Sequence, residues 1–279
     1  MDGPNFEHWE TLAAFHGTGF DRIYDVDALV AGQDSTGDLE ESALDFATNG
    51  RGVAGLDIIH IQSHIGFDSV TMARRGARVT AVDFSPTALT RAQEIATLAE
   101  VSLATVEADS RDLPHSLDNR FDLAYATIGV LCWVDDLDKW MRSAARTLRA
   151  GGRLVLVELH PLMNVFAARE PLVADFDYGG AAPYRWTGVG SYASVDADFT
   201  TSTEEYAHSL GEIVNATLGA GLSPLSLIEH ESMSFEPRGD ILHHDNDGRY
   251  RFRLGVGADG TNATASALPI AFTLIVEKA

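Results

Sequence analysis

The sequence predicts an α/β domain, a mostly parallel sheet with helices on both faces, and three observations carry that reading. Short apolar runs alternate with amphipathic stretches, beginning with residues 56–61 and 79–82. The first run leads into a turn ending at Gly66, and the second stops on Asp83. A later run, 153–159, is apolar almost throughout, as a strand covered on both faces should be. Strand, turn, helix, strand, acid is half of a nucleoside-binding unit, because a carboxylate at the end of the second strand can accept from ribose hydroxyls.

The remaining elements follow in order. Residues 1–50 carry Phe6, Trp9, Phe15, Phe20 and Tyr24 between polar and glycine positions and read as a helical cap. Ser85-Pro86 is a capping serine with proline at the first helical position, and Ala88, Leu89, Ala92, Ile95 and Ala96 form the buried face behind it. A third strand is expected over 102–107, ending at Ala108-Asp109-Ser110, and a fourth over 121–126, running into Thr127-Ile128-Gly129. Leu137, Trp140, Met141, Ala144, Ala145 and Leu148 mark the clearest helix, with Asp135 and Asp136 at its start and Gly151 past its end.

After the fifth strand, 161–203 reads as an irregular insertion. Tyr178, Tyr184, Trp186 and Tyr192 lie among glycines there, which suits a lid over an apolar pocket. Ser202-Thr203-Glu204-Glu205 reads as a capping box opening a helix whose face is Tyr206, Leu210, Ile213, Val214 and Leu218. Strands six and seven are expected near 225–229 and 272–276, with Asp247-Gly248 turning a hairpin between them. The whole of 1–279 then makes one domain: cap (1–50), cofactor half (55–160), lid (161–203) and the rest of the sheet (204–279).

Composition excludes several classes. A net charge of −21, with Lys139 and Lys278 the only lysines, leaves no basic footprint for nucleic acid or an anionic membrane. Cys132 is the one cysteine, so neither a disulfide framework nor a cysteine-rich metal site is expected. No apolar run approaches the roughly 18 residues of a membrane helix and no leader is evident, so a cytoplasmic protein is expected. Without a leader, Asn262-Ala263-Thr264 is a chance sequon. His243-His244-Asp245 looks metal-like, but neighbours on a strand face opposite ways, and no metal is expected.

Several segments together resemble class I S-adenosylmethionine-dependent methyltransferases, closely over 55–160 and loosely over 202–278. Residues 61–66 stand at the glycine-rich first motif, and Val82-Asp83-Phe84-Ser85 at the acidic second. Ala108-Asp109-Ser110 stands at the adenine-contacting motif, and 148–152 at the turn before strand five. Tyr24-Asp25, Gly32, residues 130–133 and 158–161 are similar to a bacterial small-molecule branch whose first motif reads HLQCHxG. The resemblance implies S-adenosylmethionine as cofactor. Asp83 would meet the ribose, Asp109 and Ser110 the adenine, and Gly66 and Tyr24 the methionine end, with Phe84 also in the cofactor-binding set and Thr127 and Ile128 meeting the cofactor through backbone carbonyls. His60 stands where that family usually has an acid; Gln62 and His64 stand where it has glycines, and are candidates for holding the carboxylate or amine. A dinucleotide site would instead need glycine at those positions, so that backbone could approach a pyrophosphate.

On the acceptor side, His160 closes the fifth strand and is the first candidate for a base, ahead of His64 and His208. Trp133 and Cys132 are expected to line the same cavity as Tyr178, Tyr184 and Trp186. The function expected is methylation of an O or N atom of a small metabolite. The alternatives are non-methylating use of the cofactor that releases methylthioadenosine, and a cofactor-binding module without turnover. The oligomeric state is not legible.

Overall fold

Seven strands form one twisted sheet in the order β10-β13-β5-β4-β1-β2-β3. A computed structural model describes residues 3–19, 23–167, 173–180, 182–194, 197–237, 241–252 and 268–279; Phe20 and the 262–264 sequon lie outside them. The parallel strands are β1 (Asp57–Ile61), β2 (Arg78–Asp83), β3 (Ala104–Glu107), β4 (Phe121–Thr127) and β5 (Leu148–Leu159). Beside them β13 (Ala271–Lys278) runs antiparallel to both β5 and the edge strand β10 (Leu222–His230). Pro224 lies at a register shift of β10, where an edge strand tolerates a residue without an N–H. The sheet is the Rossmann-like arrangement expected from the sequence.

Alternation along the strands fills two core layers. Leu154 and Leu156 of β5 join Phe272, Leu274 and Val276 beneath α6 (Leu137–Thr147) and α7 (Leu210–Gly219). Val155 and Val157 face the other way, onto α3 (Asp38–Thr48) and Met72 of α4 (Phe67–Arg74). α3 therefore belongs to the core layer and not to the cap. The capping roles fall to α1 (Pro4–Phe15) and α2 (Val26–Val30). α5 (Pro86–Leu98) is capped as expected, with Ser85 Oγ accepting from Ala88 N at 2.9 Å.

The stretch after β5 is more regular than its sequence suggests. β6 (Phe166–Ala167) pairs with β7 (Val173–Ala174), and β8 (Tyr184–Val189) pairs antiparallel with β9 (Thr200–Glu205). The capping box expected at 202–205 is thus a strand: Ser202 pairs with Thr187 and Thr203 with Trp186. The helix begins seven residues later than Ser202, at a capping box made by Ser209 and Glu212. The Asp247-Gly248 hairpin joins β11 (Leu242–His244) to β12 (Tyr250–Phe252), where expected. Among the described residues no helix is long and apolar enough to cross a membrane.

Candidate functional site

The strand order reverses between β1 and β4, and the crevice at the C-terminal ends of these strands is where an open α/β sheet receives its ligand. The loop leaving β1 keeps three left-handed residues: Gln62 (φ 59°), His64 (φ 49°) and Gly66 (φ 77°). A Cβ on Gly66 would lie 2.7 Å from the Ala92 Cβ, so close packing of α4 on α5 requires glycine there. Gln62 and His64 hold a conformation that costs a side chain about 1 kcal/mol or more. Contacts offset that strain. Gln62 Oε1 accepts from Trp140 Nε1 at 2.7 Å, and its amide donates to Val130 O at 3.1 Å. His64 Nε2 shares a 2.7 Å bond with His16 Nδ1. Both side chains that replace glycine are therefore tied to protein partners.

Asp83 ends β2 at 8 % exposure, its Oδ2 accepting from His64 N at 2.8 Å and its Oδ1 from Ser85 N at 2.9 Å. Burial pushes its carboxyl up to about 6, against the pull of those backbone donors. In the same loop Ser63 Oγ is buried, with no hydrogen-bond partner among the described residues. Phe84 packs near Phe6 of α1, ring centroids 5.9 Å apart. Glu10 of α1 accepts from Ser85 Oγ and, at 2.7 Å, from Thr87 Oγ1, which seats α1 over the start of α5. A buried ribose-type acceptor beside a left-handed loop with an orphaned hydroxyl fits a nucleoside cofactor.

Asp109 follows β3, with the buried Ser110 beside it. Burial works to raise its carboxyl, but the Arg111 hydrogen bonds hold it below the ordinary value. Arg111 also reaches Asp135. Beyond this pair an ionic cleft of about 650 Å³ runs to Lys139, Arg142 and Arg146 of α6. Thr127 ends β4, and its Oγ1 donates to Asp68 Oδ2 at 3.1 Å. Ile128 packs against the core layer on the α3 side.

The loop after β4 is held by a buried acid of β5. Glu158 accepts from the backbone N–H groups of Gly129 (2.5 Å), Val130 (2.7 Å), Leu131 (2.9 Å) and Leu159 (2.7 Å). His160 follows at 3 % exposure. Its Nδ1 accepts from Leu162 N at 3.1 Å, which leaves the proton on Nε2, 2.9 Å from Glu229 Oε1. Burial lowers its pKa while Glu229 raises it. With both nitrogens engaged, His160 is arranged to hold the 161–164 turn, and its geometry favours that over accepting a proton. His208 is similarly tied, its Nε2 2.6 Å from Val134 O.

α1 and the β8–β9 ribbon close over the β1 loop as one cover. Asn5 makes a reciprocal pair with the Glu204 backbone, 2.8 Å each way, and His8 Nδ1 lies 2.7 Å from Thr201 Oγ1. Buried His16 bridges His64 to Ser191 Oγ (2.7 Å), and Tyr24 stacks on it at 4.7 Å. Burial pushes His16 down to about 3, with His8 adding to the effect, and burial holds His64 well below its ordinary value. Trp9 meets both His64 (5.1 Å) and Trp133 (5.3 Å), and Trp133 stacks on His8 at 5.6 Å.

The residues expected to line the acceptor pocket thus divide. Trp133 joins the aromatic cover, and Tyr178 lies 6.5 Å from the His160 ring. Tyr184 and Trp186 instead cluster with Phe176 on the ribbon, Trp186 being 45 % exposed. Half-buried Cys132, its thiol pushed up by desolvation, sits against Gly129 O at 3.6 Å. His243 and His244 lie on the separate β11–β12 hairpin. Sequence reasoning assigned no role to His16, Asp68 or Glu158. Their partners are dozens of residues away, and only the acid after Gly66 and the 158–161 resemblance hinted at two of them.

Residues 61–156 match the family model described as a methyltransferase domain. An uncharacterized protein of Mycobacterium tuberculosis is 29 % identical over 49 % of this chain and 50 % of its own length. Demethylmenaquinone methyltransferase of Tropheryma whipplei is 34 % identical over 39 % of this chain and 44 % of its own. The chain thus spans about half the length, or less, of these curated relatives. The solved structure of an S-adenosylmethionine-dependent methyltransferase from Mesorhizobium loti superposes with a TM-score of 0.54 at 18 % identity, covering 89 % of this chain and 100 % of that one. Geranyl diphosphate C-methyltransferase of Streptomyces coelicolor, solved with S-adenosyl-L-homocysteine, gives 0.50 at 14 % identity, covering 86 % and 80 %. The fold is the one shared by these solved S-adenosylmethionine-dependent methyltransferases, and residues 61–156 resemble a methyltransferase domain.

Proposed function

We propose that this protein is an S-adenosylmethionine-dependent methyltransferase acting on an O or N atom of a small metabolite. One observation carries the choice of cofactor. The buried Asp83 carboxylate suits a ribose, while the first turn of α4, where a dinucleotide would rest its pyrophosphate, presents the acid Asp68. A nucleoside without phosphate meets both conditions. The cofactor-binding set proposed is Tyr24, Gln62, His64, Gly66, Asp83, Phe84, Asp109, Ser110, Thr127 and Ile128. Gln62 acts there by fixing the loop against Trp140, and His64 by its backbone and its bond to the cover.

When bound, the cofactor's sulfonium supplies an already activated methyl group, so the protein's work is alignment and exclusion of water. Trp9, Trp133 and Tyr24 wall the crevice with aromatic surface, and Tyr24 beside a sulfonium adds a cation–π contribution of about 1 kcal/mol. Glu158 holds the loop that carries Trp133, and His160 with Glu229 fixes the rim of β5. An acceptor of low pKa would bind already ionised, its proton lost to bulk solvent before the site closes, so no dedicated base is required. A carbon acceptor, as in the Streptomyces enzyme's name, is the competing outcome of an acceptor screen.

The test is calorimetric titration with S-adenosylhomocysteine, with NADH as control. Micromolar binding of the first alone is expected. Turnover should then release S-adenosylhomocysteine only when an acceptor is present. Methylthioadenosine released without acceptor would replace methyl transfer by cleavage of the aminobutyl chain. Binding without turnover of any acceptor class would leave a sensing module.

A further inference from the structure

His60, the penultimate residue of β1, stands where the resembled family usually has an acid, and a carboxylate of α4 stands close by. Asp68, in the first turn of α4, reaches over the end of β4. Its Oδ2 accepts from Tyr125 OH and Thr127 Oγ1, both at 3.1 Å, and its Oδ1 from Ser35 Oγ at 2.6 Å. All three donors are neutral hydroxyls. Among the described residues no lysine, arginine or histidine forms an ion pair with it, although the surface acids of this chain pair widely with arginine. His60 does not neutralise it either. The His60 ring is buried, bonded to Ser69 Oγ at 2.8 Å, and desolvation pushes it down to about 4 despite the pull of Asp68.

A carboxylate offers about four acceptor sites, so three hydroxyl donors leave one open. The donors fix the group without cancelling its charge, and Asp68 is only partly buried. Its position is at the reversal of strand order, on the β4 side of β1, whereas Asp83 stands on the β2 side. A ligand gripped by its ribose at Asp83 and crossing β1 brings its far end to Thr127 and Asp68. We infer that Asp68 receives the α-ammonium group of the cofactor's amino acid end, in place of the acid absent from position 60. This rests on the cofactor proposed above.

The experiment compares two ligands by calorimetry on the full chain: S-adenosylhomocysteine, and the same thioether with hydrogen replacing the α-amino group. Wild type should prefer the first by about tenfold or more. Asp68→Asn, nearly isosteric, should bring the two within about twofold, chiefly by weakening the amino compound. Asp68→Glu, which keeps the charge but displaces it by one methylene, should fall between. Ser35→Ala removes a neutral donor and should keep the preference. Binding of the amino-free compound by each variant reports that its site is folded. An unchanged preference in both Asp68 variants overturns the inference and leaves the cofactor assignment standing, as does equal loss of the preference in Ser35→Ala. If wild type binds neither thioether, the cofactor assignment itself fails.

Discussion

The two sides of the crevice are held by different means. At the end of β2 the grip is local and made by backbone: Asp83 is fixed by the N–H groups of His64 and Ser85, and Ser63 N donates to Val82 O at 2.9 Å. At the ends of β4 and β5 the grip is made by side chains that meet across the chain. Glu158 holds the 129–131 loop, Asp68 gathers hydroxyls from Ser35, Tyr125 and Thr127, and His16 joins His64 to Ser191. The first side is set once two neighbouring strands pair. The second exists only when the cover and the sheet have come together. Substitutions on the β2 side should therefore change cofactor affinity with little effect on stability, and those on the other side should change both.

The largest effect is expected at Glu158. Truncation to alanine strands the backbone donors it serves, at a cost of about 3 kcal/mol or more. Urea unfolding of Glu158→Ala should show that loss, with Glu158→Gln between it and wild type. A loss below about 1 kcal/mol would mean that the loop after β4 holds itself, and the contrast between the sides would disappear. Gly66→Ala comes next. It combines a left-handed backbone with a 2.7 Å approach to the Ala92 Cβ and should cost about 2 kcal/mol, seen as a lower midpoint of unfolding.

Asp83 sharpens the contrast through pH. Asp83→Ala should weaken S-adenosylhomocysteine by about 1–3 kcal/mol, the cost of leaving ribose hydroxyls unpaired. Its folded pKa, raised by burial to about 6, lies above the unfolded value near 4. Protonation therefore favours the folded state. The stability it adds is fully present below pH 4 and is lost as pH rises through 6. Ligand binding runs the other way, because ribose hydroxyls donate to the ionised carboxylate. Wild-type affinity should fall as pH is lowered through 6, by at most tenfold per unit, and Asp83→Asn should be flat over that window.

How far these features were legible follows the same division. The β1, β2 and β5 runs, the acid at 83 and the Ser85-Pro86 cap are local patterns, and the structure has them where the sequence places them. The S-x-x-E pattern occurs at 202–205, 209–212 and 226–229, and only the second opens a helix. Thr200, Thr201 and Thr203 are β-branched and pair across to β8, whereas Ile213, Ala216 and Thr217 repeat at helical spacing and are buried. The pattern alone does not separate them; the long-range pairing does. Glu158 and Asp68 gave a weaker signal, since an acid beside an apolar strand or in a first helical turn is ordinary until its partners are known.

The smallest effect tests whether the Tyr24 hydroxyl only latches the cover or also touches the ligand. Tyr24 OH lies 2.6 Å from Tyr192 OH in an exposed position, where water replaces a lost hydroxyl partner readily. Tyr24→Phe should cost about 0.5 kcal/mol in unfolding. The ring that stacks on His16 and meets His64 at 5.4 Å is retained, so affinity for S-adenosylhomocysteine should stay within about twofold. If calorimetry instead shows a tenfold loss, the hydroxyl itself contacts the ligand. The hydroxyl would then join the Tyr24 ring in holding the cofactor, and the part of the grip made by long-range side chains would extend from Thr127 and Asp68 into the cover.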